Sequence, residues 1–373
     1  MKYHTRKNAL ILLEDGTVFF GKAVGDREGS AYGEICFNTG MSGYQELMTD
    51  PSGYGQILVT TTAHTGGYGV NKNEMESDKI HLEGLVVRNF GYHNSRIASD
   101  GSLEDFINEN NLLAITDVDT RALTQHTLSN GAMNGVITTE VDNLEELKLT
   151  LSKMASADDV EKVSKVSTSK PYYFGKEDAK HKVAVLDLGL KNSFLNRLAA
   201  QDCYIKVFPY NATFQQMEAF KPDGYFISNG PGNPNLLKET LNTVDSIVAS
   251  GKPVFGVCLG HQAIGMTQGI AVDKMKNGHR GLNHPVQNLR TGKGEITSQN
   301  NGFVLNKEAV AANDNVEITH INLNDQSVAG IRIKDKPVFS VQYHPGGRPG
   351  PEDSLYLYDE FIAHFEKNNS KLK

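Results

Sequence analysis

The sequence of 373 residues contains no tryptophan, which by itself says little. Its other shortages exclude more. There are only three cysteines, Cys36, Cys203 and Cys258, far apart and with no CxxC pair. Such a set supplies neither a disulfide framework nor a cysteine zinc site, and it fits a reducing compartment. No apolar run approaches the ~20 residues that a membrane-spanning helix needs. The first residues, Met1-Lys2-Tyr3-His4-Thr5-Arg6-Lys7, lack the apolar core and cleavage site of a secretory signal. A cytoplasmic protein without a membrane contact is expected. No strongly basic region stands out, the net charge is −7 and the pI is near 6.0, which argues against a nucleic-acid partner. No P-loop pattern occurs, and the apolar stretch Val183–Leu188 is followed by Gly189 alone, without a G-x-G-x-x-G fingerprint.

What is present is ordinary globular composition, 39% hydrophobic and 22% charged, in a chain long enough for two domains with a core each. The most informative stretch is Pro253-Val254-Phe255-Gly256-Val257-Cys258-Leu259-Gly260-His261-Gln262. An apolar run that reads as a buried strand meets a turn, and an amphipathic stretch follows. Glycines stand two residues before the cysteine and two after it. This is the thiol form of the nucleophile elbow, in which strand, helix and substrate all approach one residue closely. The helix that follows points its free amides and positive dipole end at the turn, which favours the reactive thiolate. A lone cysteine is more often a small buried hydrophobe; the two glycines and the strand-to-helix context reverse that expectation.

The remaining chain falls into two styles. Residues 9–24 form two apolar runs around Asp15-Gly16, which predicts a hairpin. Further short strands are expected at 33–38, 56–61 and 82–88, with helices at 102–110 and 120–129, the latter capped by Asp119 or Thr120. Residues 1–140 therefore read as a mostly-β domain. Residues 141–181 carry an exposed amphipathic helix and then Ser-, Lys- and Asp-rich sequence, and are expected to connect the domains. From Val183 strands and helices alternate: 183–188, 192–201, 203–208, 213–220, 224–228, 238–249 and 253–257. This predicts a mainly parallel α/β sheet covered on both faces over residues 182–373, with ligands beyond the carboxyl ends of the strands. After about Ala271 shorter strands are expected, among them 327–333 and 338–342, and a final helix over 352–366.

Two constellations join the cysteine. Asn229-Gly230-Pro231-Gly232-Asn233-Pro234 follows a strand, and its amides could line an anion-binding concavity; the same residues also make an ordinary tight turn. Val338-Phe339-Ser340-Val341-Gln342-Tyr343-His344-Pro345 ends an apolar strand on a histidine that can serve a cysteine as general base. Of twelve histidines His344 has the best local context; His261 lies on the nucleophile helix, and His279 and His284 fall in a polar loop.

Together these landmarks resemble those of the class I glutamine amidotransferases, in the same order. The N-terminal motifs 37–52 and 117–124, with Asn134-Gly135, and the later stretches 278–285 and 298–303 resemble more narrowly the small chains of carbamoyl-phosphate synthetases, over about residues 8–366. The resemblance implies hydrolysis of L-glutamine, with ammonia passed to a large ATP-using partner that makes carbamoyl phosphate from bicarbonate for arginine and pyrimidine synthesis. It implies Cys258 as nucleophile, His344 as general acid and base, and an oxyanion hole from the amides of Gly230 and Leu259. Glutamine would be held by Ser52, Gly230, Gly232, Leu259, Gln262, Asn300, Gly302 and Phe303. No metal or cofactor is expected in this chain; ATP and Mg are expected on the partner.

One departure matters. The family has His-Pro-Glu, whereas this chain reads His344-Pro345-Gly346, with the Pro-Gly-Pro that follows in register. The third group of a triad sets the tautomer and steadies the imidazolium. A weakened glutaminase is therefore expected, working as a Cys–His dyad or with a substitute carboxylate such as Glu352 or Asp353. The alternative is a scaffold that regulates the large chain and hydrolyses little glutamine. Arg348, if turned inward, would disfavour a protonated histidine.

Overall fold

The computed structural model describes residues 6–156 and 158–371. The chain divides into two compact units, Met1–Val160 and Glu161–Lys373. In the first, β1 (Asn8–Leu13) and β2 (Val18–Val24) make the expected hairpin around Asp15-Gly16. Then come β3 (Ser30–Asn38), α1 (Tyr44–Thr49), β4 (Gln56–Thr60), β5 (Gly84–Val86), α2 (Leu103–Glu109), β6 (Leu113–Thr116), α3 (Thr120–Asn130), β7 (Asn134–Thr138) and α4 (Leu144–Ser152). The seven strands close into a barrel in the order β1-β2-β6-β5-β4-β3-β7, which removes every free sheet edge. Alternate strand residues such as Ile11, Ile35, Ile57 and Ile115 share one core inside this unit. Asp119 rather than Thr120 caps α3, its carboxylate accepting the Ala122 amide at 3.0 Å.

The second unit contains β8 (Tyr172–Phe174), β9 (His181–Asp187), α5 (Asn192–Ala200), β10 (Cys203–Pro209), α6 (Phe214–Glu218), β11 (Gly224–Ile227), α7 (Lys238–Ala249), β12 (Val254–Val257) and α8 (Leu259–Thr267). It continues with β13 (Val272–Asn288), β14 (Gly294–Leu305), α9 (Lys307–Ala311), β15 (Val316–Asn322), β16 (Val328–Ile333), β17 (Val338–Val341) and α10 (Tyr356–Lys371). All ten strands form one sheet, ordered β14-β13-β15-β16-β17-β12-β11-β9-β10-β8. Its centre, β17-β12-β11-β9-β10, is parallel; the outer strands on both sides are antiparallel. Because side chains alternate, Ala184, Leu186 and Ile227 enter a core with α7 and α8 on one face. Val183, Val185, Phe226 and Phe255 enter a second core with α5 and α10 on the other. Central strands buried on both faces explain the near-continuous apolar runs in the sequence.

Two regions differ from the sequence reading. After Ala271 the strands are long: β13 has 17 residues and β14 has 12. Their pairing shifts register between Lys274 and His279 and again between Gly281 and His284, so no clean alternation survives in the sequence. His279 and His284 accordingly lie on β13, not in a polar loop. Residues 141–181, expected as a connection, are shared between the units. Helix α4 buries Leu147 and Leu151 with Leu10, Leu12 and Val136, while Val163 joins a core of the second unit and β8 edges its sheet. Each of these pieces is exposed on one side, which gives the segment its polar composition.

Candidate active site

Strand β12 and helix α8 meet at Cys258, whose backbone sits at φ 53° and ψ −106°. A positive φ is strained for a residue with a Cβ, and such strain persists only where the surroundings impose it. Here they do. The Cys258 amide donates to Val341 O at 2.9 Å, the Gly260 amide to Ser228 O at 3.0 Å, and the Gln262 amide back to Cys258 O at 3.1 Å. The flanking glycines let the helix press onto the sheet. A Cβ on Gly260 would lie 2.2 Å from Ile227 O, and one on Gly256 2.9 Å from Gly260 O. The elbow therefore has the geometry that its spacing predicts, and its thiol is 2% exposed.

Sheet order brings the other landmarks to the same edge. Strand β17 runs parallel to β12 as its neighbour, with Val341 opposite Val257, so the chain leaves both strands at adjacent carboxyl ends. Cys258 follows one strand directly; His344 follows the other three residues on. The His344 amide donates to Ser298 O at 2.9 Å, and its ring, 2% exposed, meets Phe194 of α5 edge-to-face at 5.8 Å. The loop after β11 packs into the same region. A Cβ on Gly230 would lie 2.0 Å from Leu188 O and 2.9 Å from Leu259 Cδ2, so this loop is wedged between the loop after β9 and the first residue of α8.

Strand β14 closes one side. The Cys258 Sγ lies 3.8 Å from Asn300 O. The Gln262 side chain donates to Phe303 O at 2.8 Å and to Gln342 Oε1 at 3.0 Å, tying α8 to β14 and to the end of β17. Gly302 lies between Asn300 and Phe303; a Cβ there would lie 3.5 Å from the Arg280 guanidinium and 3.9 Å from the Lys274 ammonium, and the same ammonium sits 5.1 Å over the Phe303 ring. Gly232 packs under the aliphatic stem of Lys162. Of the residues singled out from the sequence, Cys258, Leu259, Gln262, Asn300 and Phe303 are thus linked by direct contacts, with Gly230 against Leu259. Ser52 belongs to the first unit, on the turn Pro51–Gly53, where its amide donates to Asp50 Oδ1 at 2.9 Å.

The position of the absent glutamate is filled. Gly346 has φ +61°, and a Cβ there would meet Leu355 Cδ2 at 2.4 Å and Arg197 Nε at 3.1 Å. Arg197 in turn pairs with Glu352. Asp353 Oδ2 accepts the Ile296 amide at 2.9 Å. The two acids considered as substitutes are therefore engaged elsewhere, and Arg348 is exposed, giving only its carbonyl to the buried Lys191 ammonium at 2.6 Å. Lys191 and Phe194 escaped the sequence reading, because a lysine after a strand and an apolar helix residue carry no local sign of where they point. Burial drives the His261 imidazole down to about 3 and the Cys203 thiol up to about 12, leaving both outside proton or thiolate chemistry near neutral pH.

Comparison with known proteins agrees with this construction. Residues 11–137 match the family described as carbamoyl-phosphate synthase small chain, CPSase domain, and residues 184–364 match glutamine amidotransferase class-I. The carbamoyl phosphate synthase small chain of Synechococcus sp. is 42% identical over 97% of this chain and 95% of its own length. Those of Clostridium perfringens and Listeria monocytogenes are 40% and 41% identical, each over 95% of this chain and over 99% and 95% of their own lengths. With both domains matched in order and near-complete coverage on either side, the chain belongs to the carbamoyl-phosphate synthase small chain family, with a class I glutamine amidotransferase domain as its second unit.

Proposed function

We propose that this chain hydrolyses L-glutamine to glutamate and ammonia and hands the ammonia to a large ATP-using partner. There, bicarbonate, ammonia and ATP give carbamoyl phosphate for arginine and pyrimidine biosynthesis in the cytoplasm. ATP and its Mg are assigned to that partner, since this chain carries no P-loop. The observation that carries the reading is Cys258 held at positive φ on an elbow whose neighbouring parallel strand leads to His344.

An amide is a poor electrophile, so each step needs help. His344 takes the Cys258 proton, and the thiolate attacks the side-chain amide carbon of glutamine, forming a C–S bond. The oxygen takes the negative charge and is met by the amides of Gly230 and Leu259. His344 then delivers a proton to the nitrogen, the C–N bond breaks and ammonia leaves. Water, deprotonated by His344, attacks the thioester; the C–S bond breaks, glutamate departs and the thiol returns. The family resemblance assigns Gln262, Asn300, Gly302, Phe303, Gly232 and Ser52 to holding the substrate.

A second reading, a regulatory scaffold with little glutaminase, draws on Gly346 and on the Leu355 and Arg197 atoms around it. One experiment separates the two. A diazoketone analogue of glutamine is expected to alkylate Cys258 with loss of dinitrogen, adding the mass of the reagent less N2, in competition with glutamine, while Cys258→Ala takes none. An unmodified wild-type Cys258 under those conditions overturns the hydrolytic reading in favour of the scaffold.

A further inference from the structure

Position 346 is a glycine, so no side chain reaches His344 from there. Among the described residues the second unit buries two acids, Asp187 and Glu295. Asp187 is saturated by the amides of Thr168, Gly189 and Leu190, at 2.7, 2.9 and 2.8 Å. Glu295 of β14 is different, because its partners are side chains from β13, α10 and the segment after β17, Asn288 Nδ2 of β13 donating to Oε1 at 3.5 Å. Tyr356 of α10 donates to Oε1 at 2.8 Å and Tyr343 to Oε2 at 3.3 Å. The Tyr356 hydroxyl accepts from Asn288 Nδ2 at 2.8 Å and lies 2.9 Å from His320 Nε2, while His320 Nδ1 lies 2.9 Å from the Thr319 hydroxyl.

With Glu295 ionised, the protons in this chain have one consistent direction. Each tyrosine has a single hydroxyl proton and gives it to the carboxylate. Tyr356 must then accept from His320 Nε2–H, which leaves Nδ1 to accept from Thr319. Burial holds His320 down to about 4, so it is neutral near pH 7, as that direction requires. The chain then ends on Glu295 as a carboxylate that only accepts; burial pushes its pKa up, and the bonds from Tyr356, Asn288 and Tyr343 oppose that push. Such charge-assisted bonds are roughly twice as strong as neutral ones. The other charged groups at the network are Asp353 beside Glu295 and Arg290, paired with Glu360, beside His320.

Tyr343 directly precedes His344 and is fully buried, its ring also meeting His320 edge-to-face at 5.8 Å. One strand thus anchors this dipeptide twice: Glu295 holds the Tyr343 hydroxyl, and Ser298 O holds the His344 amide. We propose that Glu295 is a positioning residue for His344, acting through Tyr343 in a chain whose position 346 is glycine. The proposal rests on the hydrolytic reading. It assigns to a buried network the orienting task that a third triad member otherwise performs by direct contact.

The test uses the full chain with its large partner and compares Glu295→Gln and Tyr343→Phe with wild type. Both variants are expected to lower kcat for glutamine hydrolysis about tenfold, with KM for glutamine within twofold. Glu295→Gln also removes a negative charge, which destabilises nearby protonated groups, so the limbs of its kcat/KM pH profile are expected to move to lower pH. Tyr343→Phe keeps the charge, so its limbs are expected to stay. Kinetics and limbs like wild type, with only a lower melting temperature, overturn the proposal and leave the network a purely structural one. If Glu295→Gln does not fold, Tyr343→Phe decides alone by its kcat. A wild type that neither turns over glutamine nor reacts at Cys258 sinks the hydrolytic reading itself, a result distinct from an active wild type with unaffected variants.

Discussion

Replacing Gly230 by alanine tests the proposed oxyanion hole at its tightest contact. The new Cβ would lie 2.0 Å from Leu188 O and 2.8 Å from Leu188 C, both backbone atoms that cannot rotate aside. Relief to an ordinary contact requires the loop to move by about 1 Å, and misplacement on that scale can cost about 100-fold in rate. Loss of an oxyanion donor costs about 100- to 1000-fold, or about 3–4 kcal/mol of transition-state stabilisation. Gly230→Ala is therefore expected to lower kcat for glutamine hydrolysis by two to three orders of magnitude, against about 1–3 kcal/mol of stability from overpacking. The assay follows glutamate release by the complex and, in parallel, carbamoyl phosphate made from added ammonia. The second rate is expected to persist, since ammonia bypasses the thioester. Gly251→Ala is the control. Gly251 has φ +75° on a turn with nothing within 4 Å of a Cβ, so only stability is expected to fall, by about 1–2 kcal/mol. A Gly230→Ala enzyme with kcat within threefold of wild type refutes the placement of the Gly230 amide.

Other outcomes follow from the same geometry. Gly346→Glu alone is expected to lower the melting temperature without raising kcat, because φ +61° and Leu355 exclude the side chain; a clear gain in glutamine turnover contradicts this. In alkylation followed by peptide mass spectrometry at pH 7–8, Cys258 is expected to react while Cys203, its thiol pushed up to about 12, stays unmodified. Acid should destabilise the second unit more than the first. Burial lowers His261 to about 3 and His284 and His320 to about 4 there, against His81, at about 4, among the described residues of the first. Each is depressed below its unfolded value near 6.5, so the unfolded chain binds more protons between about pH 6.5 and 4, and stability falls as pH falls through that window. Calorimetry at pH 7, 6 and 5 measures it; melting unchanged down to pH 5 contradicts it.

The sequence alone determined the local chemistry: the hairpin at Asp15-Gly16, the βα alternation from Val183, and Cys258 between its two glycines. These are written in contiguous residues, because turn chemistry and side-chain periodicity act over a few positions. Tertiary structure decided the rest. Only strand order makes β17 the neighbour of β12, so that the segments carrying Cys258 and His344 leave the sheet at adjacent strand ends. Only barrel closure turns seven modest strands into one edge-free unit. Irregular register hid the length of β13 and β14, and one-sided burial disguised α4 and β8 as a linker. Least legible was Glu295, a single acid in a polar stretch. It acquires its partners because β13, β14, β15, α10 and the end of β17, up to 68 residues apart in the chain, converge on one buried point, and burial obliges every polar atom there to find a bond.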